Sequence, residues 1–322
     1  MTEGRAPQAR EIDDAGRLRH LLDLRDLRRE HLLALFERAR GFRVGEHGVA
    51  SRDSLAGRTV ATLFFEDSTR TRSAFELAAR RLGATVLNLD VGRSSTKKGE
   101  TLRDTLLTLE AMDVQLFVVR HGDSGAAACV AESLHSGAAV LNAGDGWHAH
   151  PTQALLDTYT LWERGFDFTQ GAVTIVGDLL HSRVARSLLR ALRILGCPRI
   201  HLVAPPTLLP PMPEDPAIHC GSDLDAVLPD SDVVVALRLQ NERMRGPLLP
   251  GAGEYFSRYG LTPARLAQAR PGAWVMHPGP INRGVEIASE VADGPRSLIL
   301  DQVRSGVLVR MAVMETILES CP

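Results

Sequence analysis

The order of apolar runs predicts an α/β chain of two doubly wound parallel-sheet domains joined by a connecting helix, with a last helix packing back on the first domain. Two observations carry this expectation. Apolar runs of strand length alternate with amphipathic segments at helical spacing, and the alternation occurs in two successive sets. The stretches rich in Gly, Ser, Thr and Arg fall where strands end and helices begin, which is where such sheets carry their sites.

Taken in order, residues 1–16 are polar and charged and are expected to form a mobile leader. Asp26 to Ala39 places Leu27, Leu32, Leu33, Leu35 and Phe36 on one helical face. The first domain, expected over 17–150, then alternates. Strands are predicted at 60–65, 85–90, 115–120 and 139–142, and helices at 73–82, 102–111 and 126–134. Pro151 to Trp162 reads as the connecting helix, with Pro151 suited to the first helical position. The second domain, expected over 151–296, repeats the pattern. Its strands are predicted at 172–176, 199–204, 233–239 and 274–276, and its helix at 182–195. The prolines of 205–216 predict an extended loop. A final helix over 297–319, assigned to the first domain, carries Val303, Val307, Met311, Met314, Ile317 and Leu318 on one side.

Composition narrows the function classes. The 322 residues suffice for about two domains, and 44% hydrophobic with 24% charged residues fit a globular protein. A formal charge of -2 gives no global basic field, which argues against nucleic acid as a partner. The four cysteines are scattered without a CxxC pair, so they are expected to be reduced and buried, and no metal or cofactor is expected. With no apolar leader and no run long enough to span a bilayer, the expected location is the cytoplasm.

The chemistry concentrates in Glu66-Asp67-Ser68-Thr69-Arg70-Thr71-Arg72, between the first strand and its helix. Open backbone N–H groups, hydroxyls and a guanidinium around a helix start suit a tetrahedral phosphate dianion. Ser and Thr there are also ordinary caps, so further segments carry weight. Lys98 lies in a polar loop, and Arg120 with His121 ends an apolar strand. Glycines precede His148-Ala149-His150-Pro151-Thr152-Gln153. His150, before a helix N-terminus, is expected to be a neutral imidazole able to donate to a carbonyl oxygen, whereas His148 has no assigned role. Later, Gly177-Asp178 precedes Arg183 in the first turn of a helix. Arg238 ends a strand, and His277-Pro278-Gly279-Pro280 fixes a turn with open carbonyls. The glycine fingerprint GxGxxG is missing, which opposes a nicotinamide dehydrogenase.

Together, Ser68-Thr69-Arg70-Thr71-Arg72, Lys97-Lys98-Gly99-Glu100-Thr101, Val119-Arg120-His121, His150-Pro151-Thr152-Gln153, Gly177-Asp178, Arg238-Leu239-Gln240 and His277-Pro278-Gly279-Pro280 resemble the catalytic chains of aspartate transcarbamoylases, in order and over nearly the whole chain. The resemblance implies transfer of a carbamoyl group from carbamoyl phosphate to L-aspartate, in pyrimidine synthesis. It implies that Ser68, Thr69, Arg70, Thr71 and Arg120 hold the phosphate. Thr71, Arg120 and His150 would meet the carbonyl oxygen, and Gln153 with the backbone of Gly279 and Pro280 the carbamoyl NH2. Arg183, Arg238 and Gln240 would take aspartate, and Ser94 and Lys98 would enter from a neighbouring subunit of a homotrimer. A further regulatory or dihydroorotase-like partner is left open. Gly279 stands where some members have leucine. The rival acceptor is ornithine, whose enzymes are expected to carry Cys within HPxQ and HxxP and a Ser-Met-Gly set; this chain has Thr152 and Pro278. A non-catalytic anion-binding assembly subunit is the alternative from another class.

Overall fold

Thr59–Phe64 (β1) is buried along almost its whole length, as a strand covered on both faces must be, which explains why it reads as continuous rather than alternating hydrophobicity. This computed structural model describes residues 9–46, 48–89, 101–211, 214–239 and 251–320. The chain divides into two compact units, Met1–Thr152 with Gly306–Pro322, and Gln153–Ser305.

In the first unit, helix α1 (Arg29–Arg40) precedes β1. There follow α2 (Thr69–Arg81), β2 (Thr85–Leu89), α3 (Leu102–Ala111), β3 (Leu116–His121), α4 (Ala126–Ser133) and β4 (Ala139–Asp145). The four strands form one parallel sheet in the order β2-β1-β3-β4. Leu63, Leu106, Leu109, Phe117, Val119, Val130 and Val140 share its core. Helix α5 (Pro151–Glu163) leads out of this unit.

The second unit contains β5 (Ala172–Val176), α6 (Arg183–Leu195), β6 (Arg199–Val203), β7 (Ile218–Gly221), β8 (Val233–Ala236), α7 (Ala252–Tyr259) and β9 (Trp274–Met276). Its parallel sheet runs β9-β8-β5-β6-β7. The last helix, α8 (Ile299–Ser320), packs back on the first unit. There Arg38 of α1 ion-pairs Glu315 at 2.9 Å and Glu319 at 2.7 Å. Arg310 lies over the Phe75 ring of α2, 4.7 Å from its centroid, and so ties the site-bearing helix to α8.

Several expectations change. Helix α2 begins at Thr69 rather than Ser73, because its first turn is polar and carries no apolar period. Strand β7, which the sequence pattern did not show, follows the proline-rich segment; it is a short sheet edge with little apolar signal. Helix α7 was likewise silent in the sequence pattern. Within residues 9–16, Glu11 is buried, and one carboxylate oxygen accepts the N–H groups of Leu22, Asp23 and Leu24. Val303 is 60% exposed, since Gln302 and Ser305 occupy the buried face of that turn. Of the cysteines expected to be buried, Cys197 is buried, but Cys129 and Cys220 are exposed, on the outer side of α4 and on edge strand β7. Among the described residues, no helix is long and apolar enough to cross a membrane.

Candidate functional site

Strand order sets where the chemistry gathers. From β1 the chain passes to β2 on one side and to β3 on the other; from β5 it passes to β6 on one side and, later, to β8 on the other. Each unit therefore has one switch point, outside the carboxyl ends of β1/β3 and of β5/β8.

At the first switch point, Phe64 is the register partner of Arg120, and Phe65 N–H donates to Arg120 C=O at 2.9 Å. This pairing brings the segment from Ser68 to Arg72 beside Arg120. Ser68 is the N-cap of α2, yet its side chain makes no capping hydrogen bond, and the first turn holds no acidic residue. Thr69 and Arg70 are exposed, and Ser68 and Thr71 are half-buried. A helix start left open in this way, with hydroxyls and a guanidinium around it, can hold an anion. Arg120 has a side chain only 13% exposed; it donates to Ala143 C=O at 3.1 Å and pairs with Glu66 at 3.3 Å. Nothing in the sequence pattern marks Glu66 for a role of its own, although it stands two residues before Ser68.

The loop from β4 to His150 is organised by Asp145, a second residue whose part the sequence did not announce. Its carboxylate accepts from Gly125 N–H (2.8 Å), Asn142 Nδ2 (2.8 Å) and Ala149 N–H (3.0 Å), and faces His148 Nδ1 at 3.0 Å. The other ring nitrogen of His148 lies 3.3 Å from Asp23. Hydrogen bonds to these two carboxylates, Asp145 first, raise the His148 pKa to about 9, so this imidazole is charged at neutral pH. His148 thus clamps the N-terminal segment to the loop that delivers His150, itself 5% exposed. The signal was an Asp between two glycines, with a His three residues on.

At the second switch point, Gly177 adopts φ +136°, and a Cβ there would lie 2.8 Å from both Cβ and C=O of Leu237. Only glycine lets the β5–α6 turn approach the end of β8 so closely. Leu237 N–H donates to Val176 C=O at 2.8 Å, which sets the half-buried Arg238 beside Gly177 and Asp178. Asp178 is fully buried and accepts the N–H of His181 at 3.1 Å. The N-cap Ser182 accepts from Ala185 N–H, and Arg183, 4% exposed, opens α6. Also in this unit, Gln153 is 9% exposed on α5, and Gly279 and Pro280 follow β9. Ser94, Lys98 and Gln240 lie outside the described residues.

Residues 19–163 match the family described as "Aspartate/ornithine carbamoyltransferase, carbamoyl-P binding domain", and residues 170–317 match its "Asp/Orn binding domain". The chain belongs to the aspartate/ornithine carbamoyltransferase family.

As a carbamoyltransferase, it transfers the carbamoyl group of carbamoyl phosphate to aspartate or ornithine. Its structure is similar to aspartate transcarbamoylase from Trypanosoma cruzi in complex with carbamoyl aspartate and phosphate. That likeness has 33% identity, 97% of this chain and 98% of that chain covered, and TM-score 0.81. The same enzyme in complex with carbamoyl phosphate and aspartate gives 34% identity, 93% and 95% covered, and TM-score 0.80. Ornithine carbamoyltransferase from Pyrococcus furiosus gives 25% identity, 94% and 98% covered, and TM-score 0.82.

Proposed function

We propose that this carbamoyltransferase uses L-aspartate as acceptor, giving N-carbamoyl-L-aspartate and phosphate for pyrimidine synthesis in the cytoplasm. The observation that carries the choice is the pair of arginines at the second switch point, Arg183 opening α6 and Arg238 after β8. Two guanidinium groups suit two carboxylates and would repel the side-chain ammonium of ornithine. Thr152 in place of Cys, Pro278 in place of Cys and the higher identity to the T. cruzi aspartate enzyme support the same reading.

The roles follow the chemistry. Ser68, Thr69, Arg70, Thr71 and Arg120 hold the phosphate of carbamoyl phosphate. Thr71, Arg120 and His150 donate toward the carbonyl oxygen, which turns negative as the aspartate amine attacks the carbamoyl carbon. Gln153 and the backbone carbonyls of Gly279 and Pro280 accept from the carbamoyl NH2. Arg183, Arg238 and Gln240 take the aspartate carboxylates. Ser94 and Lys98 act from a neighbouring chain in a homotrimer. No protein nucleophile is required, because orientation and charge neutralisation of two anions supply the catalysis.

Steady-state carbamoylation assays with both acceptors test the acceptor: aspartate is carbamoylated and ornithine is not, and the reverse result would overturn the reading. Mixing inactive Arg70→Ala and Lys98→Ala chains tests the shared site. Activity returns in the hybrid if one chain completes the other's site, and stays absent if each site is built from one chain.

A further inference from the structure

A line of hydrogen bonds in the second unit joins the two segments assigned above to the carbamoyl NH2. Asp157, one helical turn after Gln153 on α5, is fully buried. Its Oδ1 accepts from Gln153 Nε2 at 2.9 Å and from Gln302 Nε2, on α8, at 2.7 Å. Gln302, 3% exposed, turns its other end to the turn after β9, where Oε1 accepts the N–H of His277 at 2.9 Å. Gly279 N–H donates to His277 Nδ1 at 2.8 Å, so the ring proton sits on Nε2, 3.1 Å from Glu286 Oε1. The same Glu286 oxygen accepts from Asn282 N–H, closing the turn on its far side.

A glutamine amide has one donating and one accepting end, and the partners decide which end faces where. A carboxylate oxygen receiving two hydrogen bonds accepts both, so both glutamines turn their NH2 groups to Asp157. Gln302 is then bound to offer Oε1 to the His277 N–H, as observed, and Gln153 is bound to keep Oε1 as its remaining hydrogen-bonding end. We propose that Asp157 is a specificity-determining positioning residue: by fixing Gln153 as an acceptor and, through Gln302, anchoring the 277–280 turn, it makes the enzyme select a phosphate donor bearing N–H groups. Carbamoyl phosphate has an NH2 where acetyl phosphate has a methyl group of similar size. Against a methyl, an acceptor with a fixed orientation is left without a donor, and that deficit rather than shape rejects the analogue.

The inference rests on the carbamoyl role of Gln153 proposed above, and its test separates the two. Kinetic constants for carbamoyl phosphate and acetyl phosphate are measured with aspartate as acceptor, alongside inhibition by inorganic phosphate. Asp157→Leu removes the acceptor. It should lower the carbamoyl-over-acetyl preference in kcat/KM by about tenfold or more, the size expected for one lost hydrogen bond in a buried site, with inorganic phosphate binding little changed. Asp157→Asn keeps an oxygen for the two NH2 groups and should retain most of the preference. Gln302→Leu, which frees the turn but leaves Gln153 on Asp157, should have a smaller effect on it. An equal loss for both donors and for inorganic phosphate in Asp157→Leu would reduce Asp157 to a packing residue and overturn the proposal. Should that variant not fold, wild-type enzyme binding acetyl phosphate as tightly as carbamoyl phosphate would overturn it as well. Wild-type enzyme that carbamoylates no aspartate at all would instead overturn the reading beneath it.

Discussion

The two switch points share one topology and differ in how the helix that follows the central strand begins. At α2 the N-cap Ser68 makes no side-chain capping bond, and the first turn has no acid. At α6 the N-cap Ser182 already accepts from Ala185 N–H, and Arg183 is buried behind it. An open helix start offers N–H groups to a compact, doubly charged ligand. A capped one has one N–H fewer to offer, and guanidinium groups, which match planar carboxylates, can take a larger part there. In the proposed function, one architecture, repeated, serves as a phosphate seat at α2 and a carboxylate seat at α6, and the two helix starts differ in capping.

Substitutions can break this comparison, beginning with the most damaging. Arg70→Ala should cut kcat/KM for carbamoyl phosphate by about a hundredfold or more, the scale of a lost charge-assisted contact. Inorganic phosphate inhibition should weaken in parallel, and unchanged phosphate inhibition would remove Arg70 from the seat. Arg238→Ala should raise the KM for aspartate by roughly tenfold or more while leaving carbamoyl phosphate binding within about twofold. A loss shared by both substrates would point to misfolding. The serines probe the capping difference itself. Ser182→Ala should cost about 1 kcal/mol in denaturant unfolding, whereas Ser68→Ala should cost little stability and weaken phosphate binding instead. Equal destabilisation by both would mean that the two helix starts are alike.

The smallest effect concerns the loop before His150. The His148 pKa is raised from 6.5 to about 9 by Asp145 and Asp23, so its contribution to stability is complete below pH 6.5 and fades as pH rises through about 9. Proton NMR should find this ring titrating near 9, and Asp145→Asn should bring it down. Because His148 is about one-third exposed, solvent screening keeps the stability change modest. A ring titrating near 6.5 in the wild-type protein would dissolve the clamp.

How legible the molecule was depends on what each element displays. β1, β3 and β5 could be read because strands covered on both faces are apolar throughout. The start of α2 lies four residues before the expected one, because its first turn is polar and shows no apolar period. β7 could not be read, since an edge strand of four residues buries little. Among site residues, those bearing positive charge at strand ends stood out. The acids that hold the site from behind did not. Glu66, Asp145, Asp157 and Glu286 look like ordinary carboxylates in sequence, and only tertiary structure reveals that they face Arg120, His148, two glutamine amides and His277.

The most direct test is calorimetric titration of wild type, Arg70→Ala and Arg238→Ala with inorganic phosphate and with N-(phosphonacetyl)-L-aspartate, which carries both anionic parts in one molecule. The account predicts that Arg70→Ala weakens both ligands, whereas Arg238→Ala weakens the phosphonate-aspartate alone. Phosphate affinity falling equally in both variants, or tight phosphonate-aspartate binding that ignores Arg238→Ala, would contradict it.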